Sequence, residues 1–140
     1  HRTHGYNKAN DPNATANVVA QFKAAHPPAV LVSPTVTTGW NFPMRECEYQ
    51  MIPKLPFPAA SSRIMKARAK VDADYAANLC AVETQQICGR GMRGELDQCE
   101  TIILDEHARW FLGKNRQLFN RSFWDFLRVC EGPPTPPPAL

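Results

Sequence analysis

Apolar residues recur along this chain in two rhythms. After a polar opening, Asn13 or Thr15 can cap a helix in which Val18, Val19, Phe22 and Ala25 share one face, and Pro27-Pro28 stops it. Ala29 to Ser33 is different: short, apolar, rich in β-branched residues and without alternation. That pattern predicts a strand buried on both faces of a parallel sheet. It runs into a polar, glycine-containing stretch, Pro34 to Gly39, and open α/β sheets place ligand sites where a strand ends in such a loop.

The alternation of elements continues. Tyr49 to Ile52 reads as a second strand ended by Pro53, and Pro56 and Pro58 make the next segment extended. Ser62 to Asp72 has high helix propensity. A further helical pattern runs from Asp74 to about Arg93, where Gly94 can close it. Thr101 to Leu104 is a third strand, followed by Asp105, and a last helix is predicted over Ser122 to Val129. The first 13 residues read as loop. The tail over 131–140 is Pro-rich and expected to be extended and disordered, leaving 1–130 as one domain. Strands alternating with helices predict an α/β class with a mostly parallel sheet. The Val30–Ser33 and Thr101–Leu104 strands are expected to lie parallel in one sheet, with Gly39 and Asp105 near its C-terminal edge.

Composition changes this picture little. At 140 residues, one domain is the expectation, and 44% hydrophobic with 21% charged residues is ordinary for a globular chain. No apolar run is long enough to span a bilayer, so no membrane partner is expected. The chain begins at His1 without Met and without an apolar leader, which predicts a chain that is processed, truncated or excised from something longer. A net charge of +3 is compatible with a nucleic-acid partner without arguing for one. The five cysteines are odd in number and none has C-x-x-C spacing. Neither a zinc site nor a full disulfide framework is expected; reduced thiols and a cytoplasmic location are.

The segment that carries chemistry is Gln86-Ile87-Cys88-Gly89-Arg90-Gly91-Met92-Arg93. On a continuous helix Gln86, Arg90 and Arg93 share a face. Gly89 and Gly91 are poor helix formers, and their placement between arginines predicts a close approach to the backbone. Two guanidiniums on one face can bind phosphate oxygens bidentately, or they can pair with Glu83, Glu95 or Asp97 on a solvated face. Other features stay open too. Arg63, Lys66 and Lys70 form a basic stripe that can track a nucleic-acid backbone or simply face water. Trp40 and Phe42 can stack on a base or pack against the sheet. Phe119, Phe123, Trp124, Phe126 and Leu127 read as a core-packing helix. No G-x-x-x-x-G-K-[ST] loop occurs.

The string Q-x-x-G-R-x-x-R over Gln86 to Arg93 resembles motif VI of superfamily 2 helicases. The apolar strand Ile102-Ile103-Leu104-Asp105 after it resembles the XPD/DinG-like branch. So do Val30 to Pro43, similar to motif V, and the connector Lys54-Leu55-Pro56-Phe57-Pro58 between the two. The ordered set covers roughly Val18 to Phe119. The resemblance implies a RecA-like, P-loop NTPase-type second helicase domain, truncated at its N-terminal side, from an ATP-dependent DNA helicase. In it Arg93 matches the arginine finger, Arg90 the second phosphate-contacting arginine and Gln86 a γ-phosphate or water sensor. Gly39 matches the glycine of motif V, and Asn41 stands where the family usually has Asp at the ribose. Ser33, Thr35, Thr37 and Thr38 lie where the family holds single-stranded DNA. ATP and Mg²⁺ are expected on an N-terminal RecA-like domain of the same full-length chain, with no metal site here. Thr38, Met44 and His107 replace residues usual in the branch and point to a divergent, viral-type member. The rival readings are an RNA helicase or restriction motor, and a non-catalytic remnant that binds nucleic acid or a partner.

Overall fold

The computed structural model describes residues 2–5, 13–34, 36, 39–43, 46–91 and 97–129. Four strands and five α-helices are present among them: β1 (Arg2–Gly5), α1 (Ala14–Ala24), β2 (Ala29–Val32), β3 (Tyr49–Ile52), α2 (Arg63–Val71), α3 (Tyr75–Cys88), β4 (Glu100–Ile103), α4 (Ala108–Lys114) and α5 (Arg121–Phe126). Single 3-10 turns lie at Gly89–Gly91 and Arg116–Leu118.

The strands pair in parallel, β1 with β2 and β3 with β4. Each pair is joined through helices, α1 in the first case and α2 with α3 in the second. This is the crossover that neighbouring parallel strands require, and it makes the class α/β. The segment 2–5, expected as loop, is thus a strand.

The expectation of one sheet holding Val30–Ser33 and Thr101–Leu104 is corrected. β2 and β4 sit in separate two-stranded sheets. The sequence between β2 and β3 gives the reason. It carries Pro34, Gly39 and Pro43, and among the described residues no α-helix lies in it to supply a crossover. Nor is β2 buried on both faces: Val30 and Val32 are 49% and 57% exposed.

The helices bury the remaining apolar residues. α1 packs on β1 and β2 and buries Ala14 and Val19. The main core gathers Leu55, Cys80, Ala81, Ala108, Phe111, Leu112 and Phe119, with Ile103, Phe123, Trp124 and Leu127 against it. Phe111 meets Phe57 and Phe119 edge-on at centroid distances of 4.9 and 6.2 Å, a favoured aromatic geometry. Of the predicted C-terminal core helix, Phe126 fails: α5 ends there and its ring is 80% exposed. Among the described residues no helix is long and apolar enough to cross a membrane.

Candidate functional site

The first wall of the site is the loop after β2. Gly39 has φ of +80°, the left-handed region that L side chains rarely adopt, and nothing lies within 4 Å of where its Cβ would be. Its glycine is therefore needed for the turn rather than for a close approach. Downstream, Phe42 is buried and meets Phe22 edge-on at 5.9 Å, so this aromatic packs instead of presenting its face to a base. Lys23 of α1 fastens the same stretch: its Nζ donates to the Asn41 carbonyl at 2.8 Å and pairs with Glu46 at 2.7 Å. The Asn41 residue is otherwise exposed, and Ser33 is half-buried. Thr35, Thr37 and Thr38 lie outside the described residues.

The second wall is the end of α3. The helix stops at Cys88 and tightens into the 3-10 turn Gly89–Gly91. The expected helical face of Gln86, Arg90 and Arg93 is therefore corrected for the first two: Gln86 is exposed on α3, while Arg90 is 8% exposed in the turn beyond it. Two glycines within three residues of the helix end favour the tighter turn over a continued α-helix. Arg93 lies outside the described residues. Asp97 is buried, as Arg90 is.

Three contacts hold the second wall. Arg90 donates from Nη1 to the Trp40 carbonyl at 2.9 Å, which ties the turn to the residue beside Gly39. Gln50 of β3 donates from Nε2 to the carbonyls of Ile87 and Cys88 at 3.1 and 3.2 Å, and also to the Thr101 hydroxyl. Its two hydrogens serve three acceptors, so at least one bond is shared. Gly91 packs so closely on Cys99 that a Cβ at this position would stand 2.4 Å from its Sγ. The predicted close approach is real at Gly91, and the approaching group is the chain itself. Gly89 has open space around it.

Asp105 is a structural carboxylate. Its Oδ2 accepts from the Leu55 amide and its Oδ1 from the His107 amide, both at 2.9 Å. Those two bonds hold its pKa below the ordinary carboxylate value and pin the 54–58 connector to the end of β4. Among the described residues no group of three His, Cys, Asp or Glu side chains could hold a metal ion.

Sequence reasoning passed over Gln85 and Gln50. Gln85 adjoins Gln86 but points inward; it donates to Leu118 O and accepts from the Asn120 amide at 2.9 Å, joining α3 to the C-terminal helices. A glutamine inside an apolar strand, as Gln50 is, was the available signal, because a polar side chain there must find partners.

A family model for the helicase C-terminal domain matches residues 4–123, which takes in both walls and the connector between them. No curated protein matches the chain.

Proposed function

This chain belongs to the helicase C-terminal domain family, in its XPD/DinG-type branch and with an α/β RecA-like fold, and we propose that it is the C-terminal motor domain of an ATP-dependent DNA helicase. The observation that carries this reading is the Arg90–Trp40 bond, which links the motif VI turn directly to the motif V loop. A pair of loops joined in that way can move together when one of them meets a phosphate.

ATP and Mg²⁺, held mainly by an N-terminal RecA-like domain of the full-length chain, supply the phosphoryl chemistry. The residues here fit an anion better than a cation. Arg90 places a buried guanidinium, bonded to the Trp40 carbonyl, beside a left-handed glycine turn, and both oxygens of Asp105 are engaged by amides. In this proposal Arg90 and Arg93 neutralise charge that builds on the phosphoryl oxygens, and Gln86 orients the attacking water. Gly39 lets the chain turn at the cleft, with Asn41 at the ribose. Ser33, Thr35, Thr37 and Thr38 contact the backbone of single-stranded DNA with hydroxyls and amides that read no sequence.

The test uses the full-length enzyme. Arg93→Ala is expected to lower DNA-stimulated ATP turnover about 10³-fold while nucleotide binding persists, since such an arginine acts mainly on the transition state. Arg93→Lys is expected to restore little, because a point charge does not reproduce the planar fork. Near-normal turnover in Arg93→Ala refutes the assignment.

A further inference from the structure

Two thiols lie behind the Arg90 turn. Cys47, just before β3, and Cys99, just before β4, have their sulfurs 3.6 Å apart, within hydrogen-bonding distance for thiols. They are brought together by the parallel register of the sheet, in which Tyr49 faces Glu100. The backbone around them is also anchored: the Glu100 amide donates to the Glu48 carbonyl at 2.9 Å, and the Cys47 thiol donates to the Tyr49 carbonyl at 3.6 Å. Gly91 rests on this pair. The position of a Cβ there lies 2.4 Å from Cys99 Sγ and 3.1 Å from the Cys47 carbonyl oxygen. None of this enters the proposed phosphate chemistry.

We propose that Cys47 and Cys99 are a modification site: a peroxide-class two-electron oxidant closes them into a disulfide, and the new bond immobilises Gly91 and the turn that carries Arg90. Closure needs the sulfurs to approach by about 1.5 Å to reach bonding distance. The strand ends that hold them are already hydrogen-bonded neighbours.

The step balances as follows. The Cys47 thiolate attacks one oxygen of hydrogen peroxide; the O–O bond breaks, leaving a sulfenic acid on Cys47 and a hydroxide that becomes water. Cys99 sulfur then attacks Cys47 sulfur, and the hydroxyl leaves with the Cys99 proton as a second water. Two thiols lose two electrons and one peroxide becomes two waters. Burial raises both thiols. Cys99 is pushed up to about 12 by burial and then by Cys47, while the hydrogen bond with Cys99 partly offsets the rise at Cys47, so Cys47 is the attacking sulfur. With both thiols raised, closure is slow at neutral pH and quickens as the pH rises.

The experiment takes the reduced chain, removes the reductant and adds hydrogen peroxide at neutral and at mildly alkaline pH. Tryptic digestion without reduction follows. Cleavage after Arg45, Lys54, Arg93 and Arg109 leaves Cys47 in peptide 46–54 and Cys99 in peptide 94–109, while Cys80 and Cys88 share peptide 71–90. The expected result is a 46–54 to 94–109 cross-link that forms faster at the higher pH, vanishes on reduction and slows amide exchange at Gly91 on the order of tenfold. Cross-links of Cys99 to Cys88 or Cys130, single-cysteine oxidation without a cross-link, or a cross-link that leaves Gly91 exchange unchanged would overturn the proposal.

Discussion

Gly91→Ala tests the packing of the motif VI turn by adding one methyl group. Built on the backbone, that methyl would stand 2.4 Å from Cys99 Sγ and 2.5 Å from Cys99 Cβ. Ordinary contact between such atoms is about 3.5–4.0 Å, so one side must move by roughly 1 Å. Cys99 cannot swing away freely, because its own Cβ is one of the two clashing atoms and it immediately precedes β4. Forcing an extra methyl into a packed site costs about 1–3 kcal/mol, which for a domain of this size lowers the melting temperature by roughly 3–10 °C. Gly89→Ala is the internal control. Gly89 has φ of −79° and open space around it, so alanine fits. Its effect is expected to lie between zero and a gain of about 1 kcal/mol, from reduced freedom of the unfolded chain. Thermal melts of Gly91→Ala, Gly89→Ala and Cys99→Gly, and of Gly91→Ala combined with Cys99→Gly, complete the measurement. In the double-mutant cycle a coupling of about 1 kcal/mol or more is expected, since removing the Cys99 side chain removes the clash. If Gly91→Ala melts with the parent, or if Gly89→Ala is the more damaging change, the close packing described for Gly91 is wrong.

Two further changes probe the supports of the site. Gln50→Leu keeps the size of the side chain but leaves the Ile87 and Cys88 carbonyls without their donor, and is expected to cost about 1–3 kcal/mol in a urea titration; an unchanged midpoint would show that Gln50 does not hold the end of α3. Asp105→Asn removes the charge that the Leu55 and His107 amides stabilise. The folded pKa of Asp105 is lowered, so its contribution is present above the ordinary value of 3.8 and is lost as the pH falls below it. The variant is therefore expected to be less stable at neutral pH and to show a shallower loss of stability on acidification; parallel pH profiles for the two proteins would refute the assignment.

The sequence disclosed elements more readily than their partners. β2, β3, β4, α1, α2 and most of α3 follow from apolar rhythm and from proline and glycine punctuation. β1 did not, because Arg2-Thr3-His4-Gly5 has no apolar residue and becomes a strand only by pairing with β2. α4 was legible and passed over: Ala108, Phe111 and Leu112 fall at i, i+3 and i+4 and are all buried. Sheet membership is a nonlocal property, decided by which connections carry a crossover helix, and a list of strands does not contain it. Burial of β2 on both faces failed for the same reason, since an apolar run shows what a strand can cover and not what arrives to cover it.

The site divides along the same line. Residue types placed at the motif VI turn were readable, but their roles depended on where the helix ended. A helix continuing through Arg93 would put Gln86 and Arg90 on one face. The 3-10 turn instead leaves Gln86 in solvent and sends Arg90 inward to the Trp40 carbonyl. That separation has a consequence for the proposed mechanism. If Arg90 reaches phosphate while keeping its bond to Trp40, it acts as a fixed strut, and any shift of the turn is passed to the Gly39 loop. If it must release Trp40 to reach phosphate, the Gly39 loop is freed at the moment of closure. Both routes couple the two walls through one guanidinium, and a lysine at position 90, with a single ammonium in place of a planar fork, could serve only one of those contacts at a time.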